Sequence, residues 1–547
     1  MGHIRWQTAI ALVSILLLGV LLGYLAYNLT TVIVPDFGGT YVEGVAGNPK
    51  AINPILQNNE IDRDLVSLMF SSLTRVDERG EIVPDLARRW EISEDGLAYT
   101  FYLRQDVRWH DGAPFSADDV MFTIQAIQDP DFQGLPDVSE PWLPVTIEIV
   151  DRYAVRFILE EPFAPFLDYT TVGILPAHLL GTVPAGLLPS SQFNLRPVGT
   201  GPFMLSEISA QHVILETNPH WYRRRPYLDK IEFVFYPDYP SIFVAHERGD
   251  VSGISRVWPD YLDEVREGES LNMYSAPLSG YTLVFLNLTR PLFQEREVRQ
   301  ALLWALDRQG LVDEVLGGQG IVVYSPIMPN VWAYDESLPR YSHDSEKAIA
   351  LLEAAGWTDA DGDGVREKGD LRLEFELLTN DDPIREQLVQ EIVRQWASVG
   401  VLAKPRVAGW PEPVATALRT RQFDALLGGW GALPPDPDPY PHWHSSQASE
   451  DGQNYAGYIN DDADMLLEEA RRVNDRALRG ELYRKFQRIF VEDVPALLLY
   501  QPVYNYAVDE RVRGVQVGPM LDSPDRFRTV TQWYIAIKRV VLSEASK

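Results

Sequence analysis

VPDLARRWEISEDGLAYTFYLRQDVRWHDGAPFSADDV, Val83–Val120, holds a strand, a turn and a helix start in one continuous run. Apolar side chains alternate through Tyr99-Thr-Phe-Tyr-Leu103, the period of a half-buried strand, and Val155-Arg-Phe-Ile-Leu159 repeats the pattern. The two are expected to pair in one small sheet. Asp111-Gly112 has turn chemistry, and Ser116 followed by Asp119 and by Val120, Ile124 and Ile127 reads as a capping box opening an amphipathic helix. His110 beside Asp111, with Asp118 and Asp119 following, resembles a metal or acid/base set. The order of elements instead assigns the aspartates to the positive end of a helix and the histidine to the turn before it.

Working outward, Glu297–Val315, Ser345–Trp357 and Leu478–Asp493 carry helical spacing, with Gly356 placed to stop the second. Strands and helices mix without a short repeat, a heptad run or a low-complexity tract, so the class is α/β. A chain of 547 residues exceeds one small core, and no long flexible linker divides it. Lobes joined by short crossing segments are expected.

Composition excludes several functions. Lysine and arginine total 48 against 78 acidic residues, a net charge of −30 that repels phosphate backbones. With no cysteine there is no disulfide, thiolate metal site, thiol nucleophile or lipid-modified cysteine anchor. No P-loop, GxGxxG, zinc-protease helix or GxSxG elbow occurs, and no enzyme activity is expected. Thr8–Tyr27 is an uncharged run about as long as a bilayer core is thick; Arg5 precedes it and no Lys or Arg follows until Lys50. The reading is an uncleaved signal-anchor with a short linker over residues 1–34 and everything downstream outside the cytoplasm. A cleaved signal peptide is the alternative.

Val83–Val120 also resembles the signature region of the family-5 extracellular solute-binding proteins of ABC importers, the oligopeptide, dipeptide and nickel binders. The likeness continues through RPVGTGPF (Arg196–Phe203), NPHWYRRRPYLDKIEF (Asn218–Phe233), FLNLTRPLFQEREVRQALLWALDR (Phe285–Arg308), LLEAAGWTDADGDG (Leu351–Gly364) and FDALLGGW (Phe423–Trp430). It implies a two-lobed periplasmic-binding-protein-like fold of type II. Lobe I would take residues 35–285 plus 505–547, with an extra subdomain at about 75–195, and lobe II residues 286–504. The implied function is capture of a peptide or peptide-like solute in an interlobe cleft. Delivery would be to ABC permease subunits with their ATPases, by a monomer on the outer face of the cytoplasmic membrane or in the periplasm. Nickel chelates or oligosaccharides are alternative ligands; a membrane-anchored sensor ectodomain is the alternative of another class.

GGWGALPPDPDPYPHW, Gly428–Trp443, is the expected ligand-facing loop, because prolines stiffen it and it presents Trp430, Tyr440 and Trp443 beside Asp436 and Asp438. Peptide-binding relatives place an acid shortly after this Gly-Trp; here Leu433 holds that position and Asp436 is the nearest acid. Asp359, Asp361, Asp363 and Asp370 have calcium-loop spacing; the stretch is read first as a solvated turn, with a structural calcium ion held by these four as the alternative. No cofactor is required. His442 and His444 flank Trp443, but alternate residues of an extended loop diverge, so they are not expected to chelate together.

Overall fold

The computed structural model describes residues 2–268, 270–329 and 331–541. Its backbone is one twelve-stranded sheet that bends into two lobes. The strand Ala496–Asp509 belongs to both. Its first part pairs with Gly280–Leu286 and its last part with Leu271–Pro277, so two adjacent segments cross between lobes together. Pro502 lies where the partners change, a position that tolerates a residue without an N–H. Its carbonyl accepts from the Leu278 N–H at 2.9 Å, while Gln501 Nε2 donates to the Leu278 carbonyl at 2.8 Å. Strand Gly280–Leu286 pairs with Ala425–Gly431 on its other side.

The first lobe orders Phe203–Ile208, His212–Thr217, Lys230–Tyr236, Thr40–Ala46 and Gly253–Ile254 onto the crossing strand. The second orders Leu402–Ala408, Glu374–Asn380, Ala425–Gly431 and Gly280–Leu286 onto it, with Gly320–Val322 beside it. All seven residues of Gly280–Leu286 are buried because packing covers both faces. Tyr281, Leu283 and Phe285 join Trp443, Phe486 and Phe490 in one cluster, while Val284 and Leu286 join Leu302, Leu388 and Trp396 in another.

A separate four-stranded sheet pairs Ala98–Leu103 with Ala154–Leu159 in the register Tyr99↔Phe157 and Phe101↔Val155. Ser116 and Asp119 form the expected capping box at the start of helix Ala117–Gln128. His110 is also architectural. Its Nδ1 accepts from the Gly199 N–H at 3.1 Å, Nε2 lies 3.2 Å from the Gly201 carbonyl, and burial pushes its pKa down to about 4. A Cβ on Gly199 would lie 1.8 Å from the Met69 carbonyl oxygen, which explains the glycine.

The expected helix Glu297–Val315 is instead two, Arg296–Trp304 and Arg308–Val315, because Asp307 N-caps the second by accepting from the Gly310 N–H. At the N-terminus, helix Gly2–Thr30 contains the exposed apolar run Trp6–Leu25, mean hydropathy 2.4. At 1.5 Å per residue that run is about 30 Å long, a bilayer core's thickness. Strand Thr31–Pro35 follows and pairs with Ile537–Val541. Deep in the first lobe, Arg526 is fully buried and meets Glu43 and Asp64, joining the Thr40–Ala46 strand, helix Glu60–Met69 and the C-terminal segment. Burial, opposed by Arg526, pushes the Asp64 carboxyl up to about 7.

Candidate functional site: the interlobe cleft

Three adjacent strands of the first lobe, Lys230–Tyr236, Thr40–Ala46 and Gly253–Ile254, run parallel, as do Leu402–Ala408, Glu374–Asn380 and Ala425–Gly431 of the second. The crossing strand is antiparallel to Gly253–Ile254, while Ala425–Gly431 points the same way as the crossing strand. The carboxyl ends of the two parallel sets consequently face each other across the crossing, where ligands of open α/β sheets bind.

Gly428–Trp443 leaves the second lobe's sheet at this edge. Glycines fit its close backbone pairing: a Cβ on Gly429 would lie 2.4 Å from the Tyr281 carbonyl oxygen, and one on Gly280 would lie 2.3 Å from that of Trp430. Trp430 is half-buried with Phe285 edge-on at 4.8 Å, Trp443 at 5.3 Å, His442 at 4.4 Å and Tyr455 stacked at 6.2 Å. Its indole N–H is sealed from water without an acceptor. Burial pushes the His442 imidazole down to about 4, so it is neutral at ordinary pH.

The other anticipated residues are more internal. Trp443 is 1% exposed and packs on Phe490, making it core in this conformation. Asp436 gives both carboxylate oxygens to Arg479, and Asp438 accepts from Arg471 at 2.7 Å. Tyr440 stacks on His444 at 4.0 Å beneath the Arg471 guanidinium. Both aspartates are thus neutralised within their own lobe and brace the loop.

Against this loop packs Asp168, on the short helix Phe166–Tyr169, which sequence reasoning missed. Its Oδ2 accepts from the Asp436 N–H at 2.9 Å. Burial first, and then the Asp436 charge, push its carboxyl up to about 8. Nearby, the Ala164 N–H donates to the Arg471 carbonyl at 2.8 Å, and Arg476 holds Glu81 at 2.9 and 3.0 Å. Local pattern cannot reveal such pairs, since 268 residues separate Asp168 from Asp436.

The first lobe's wall was also missed. Tyr239 follows Lys230–Tyr236, Glu60 opens the helix after Thr40–Ala46, and Arg256 and Trp258 follow Gly253–Ile254. Tyr239 donates toward Glu60 Oε2 at 3.5 Å, its ring lies 5.7 Å from that of Trp258, and Arg256 lies 5.6 Å from the Tyr504 ring.

Among the described residues, Asp359, Asp361 and Asp363 form the one group with ligand oxygens close enough to hold an ion, and all three are exposed. Asp370 is not in the group. It sits in the turn between Glu367–Lys368 and Leu371–Arg372, and Arg372 reaches Asp363 at 2.8 Å. Asp370 thus stands outside the grouped oxygens in this structure.

The family model "Bacterial extracellular solute-binding proteins, family 5 Middle" matches residues 81–452. The oligopeptide-binding protein AppA of Bacillus subtilis (strain 168) is 31% identical over 510 residues, covering 92% of this chain and 92% of its own length. The dipeptide-binding protein of Escherichia coli (strain K12) is 28% identical, covering 87% and 91%. Among solved structures, Bacillus subtilis AppA in complex with a nonapeptide superposes with a TM-score of 0.75 at 30% identity, covering 92% of this chain and 100% of that one. NikZ from Campylobacter jejuni in complex with Ni(L-His) also gives 0.75, at 27% identity, covering 90% and 99%.

Proposed function

Because this chain belongs to the family-5 bacterial extracellular solute-binding proteins, we propose that it is the substrate-binding component of an ABC importer that captures a peptide between its lobes. Membership makes it a transport protein and not an enzyme. The observation that carries the peptide reading is the facing of two parallel-strand ends across a paired crossing, with the half-buried Trp430 on one side and unpartnered polar atoms on both. AppA, similar along nearly the whole chain, is described with a nonapeptide, which favours an extended ligand.

The protein acts as a monomer that hands its ligand to permease subunits with their ATPases at the outer face of the cytoplasmic membrane. Helix Gly2–Thr30 holds it there, with its N-terminus in the cytoplasm. Asp359, Asp361 and Asp363 hold a structural calcium ion away from the cleft. A nickel chelate is the second reading, favoured by the likeness to NikZ and by His442 against Trp430.

The test is mass spectrometry of solutes co-purifying with the protein, followed by calorimetry with short peptides, nickel–histidine and oligosaccharides. Peptides in the purified complex and saturable peptide binding are expected. Binding of nickel–histidine or sugars alone would overturn the peptide reading. Retention of the N-terminus in the membrane fraction checks the anchor; a mature chain that starts near Asn28 would refute it.

A further inference from the structure

The first lobe's cleft wall combines an arginine that contacts no carboxylate with buried hydrogen-bonding atoms that have no partner. Arg256 sits two residues past strand Gly253–Ile254, recessed between Tyr239 and Tyr504. Glu60 attracts it electrostatically and the Tyr239 hydroxyl hydrogen-bonds with it, but no ion-pair contact to a carboxylate is found for it among the described residues. By contrast, the deeper Arg526 contacts two carboxylates, and Arg471 and Arg479 contact one each. The orphaned atoms of this wall are the Trp258 indole N–H, two residues past Arg256, and Glu60 Oε1 at the start of its helix, with Gln57 Oε1 in the loop that leads into that helix. Buried polar atoms without partners are uncommon and costly, and a recessed guanidinium held by a phenol hydroxyl but contacting no carboxylate is a seat for an anion. The wall also faces the other lobe: a Cβ on Gly317, next to strand Gly320–Val322, would lie 3.9 Å from Pro259.

We propose that Arg256 receives a carboxylate of the captured ligand, while the Trp258 N–H and the Glu60 and Gln57 oxygens meet the adjoining peptide group. This rests on the peptide reading and adds a position for one charged end. The inventory fits that end: planar donors for a carboxylate, one N–H for a carbonyl and oxygens for amide N–H groups. Glu60 beside the guanidinium opposes a second anion, so a singly charged terminus fits better than a phosphate or a dicarboxylate. The carboxylate comes from the C-terminus or from an acidic side chain.

Calorimetry on the full protein separates these cases, using oligoalanines of two to nine residues as free acids and as C-terminal amides, and the amides with one glutamate. The wild type should bind an acid about 10- to 100-fold more tightly than its amide, the range of a charge-assisted contact. That gap should collapse in Arg256→Gln and partly return in Arg256→Lys. Recovery of tight binding by the glutamate-containing amides would assign the seat to a side-chain carboxylate. In the unmutated protein, phenylglyoxal labelling of Arg256 followed by mass spectrometry should be blocked by bound acid more than by amide. Equal affinity for acids and amides, or an undiminished gap in a folded Arg256→Gln, would overturn the Arg256 role with peptide capture intact. Binding of no peptide would overturn both.

Discussion

Asp168→Asn is expected to stabilise the protein at alkaline pH. The amide oxygen can still accept the Asp436 N–H, while the substitution removes a buried negative charge facing Asp436 and Asp438, which Arg479 and Arg471 neutralise. The Asp168 carboxyl is held at about 8, against about 3.9 for an aspartate in an unfolded chain. With the folded value raised, the native protein keeps a proton that the unfolded chain releases between those limits. The stability this group contributes therefore falls as pH rises through the window and levels off above it. At about 1.4 kcal/mol per pH unit, the decline assigned to Asp168 between pH 5 and pH 9 is about 4 kcal/mol, less whatever loop relaxation recovers. Urea unfolding midpoints of wild type and variant across that range provide the assay. The curves should approach each other at pH 5 and diverge toward pH 9 with the variant more stable. Parallel curves, or a variant less stable at pH 9, would refute an internal proton on Asp168.

Arg526→Met should cost about 3–5 kcal/mol at neutral pH by leaving Glu43 and Asp64 buried without a cation, and urea denaturation should find the loss smaller in acid, where Asp64 takes up a proton. Excess calcium should raise the melting temperature and Asp361→Ala should abolish the rise; identical curves in calcium and chelator would reject the ion site. Trp430→Ala should weaken every ligand and remove most of the fluorescence change on binding, whereas an unchanged titration would exclude that ring from the cleft's contacts. Ser116→Ala should cost about 1 kcal/mol through loss of the helix cap without altering affinity, as paired melting and binding measurements would show.

Much of the scaffold was legible because its determinants are local. Alternation predicted the Tyr99 and Val155 strands and their pairing, and Ser116 with Asp119 predicted a helix start that the structure contains. The single helix expected over Glu297–Val315 broke at Asp307 because apolar spacing persists across the interruption while capping chemistry decides it. The cleft was less legible. Stiff aromatics singled out the Trp430 loop as the expected ligand-facing segment, but whether an aspartate faces a ligand or an internal arginine depends on residues far along the chain. Arg479 comes 43 residues after Asp436, and Asp168 lies 268 before it. Arg256 belongs to no motif. Its interest comes from carboxylates that fail to reach it, which only a folded arrangement reveals.

The strand Ala496–Asp509 has a consequence for the order of events in synthesis. Both lobes need it to complete their sheets, and Thr31–Pro35 finds its partner only at Ile537–Val541. A growing chain that has not reached residue 509 can collapse locally, as in the four-stranded sheet around Ala98–Leu103, but neither lobe can complete its ladder. Contacts this distant in sequence form slowly. Both sheets thus stay incomplete until almost all of the chain has been made, which leaves unfinished strand edges in need of protection until the last segment arrives.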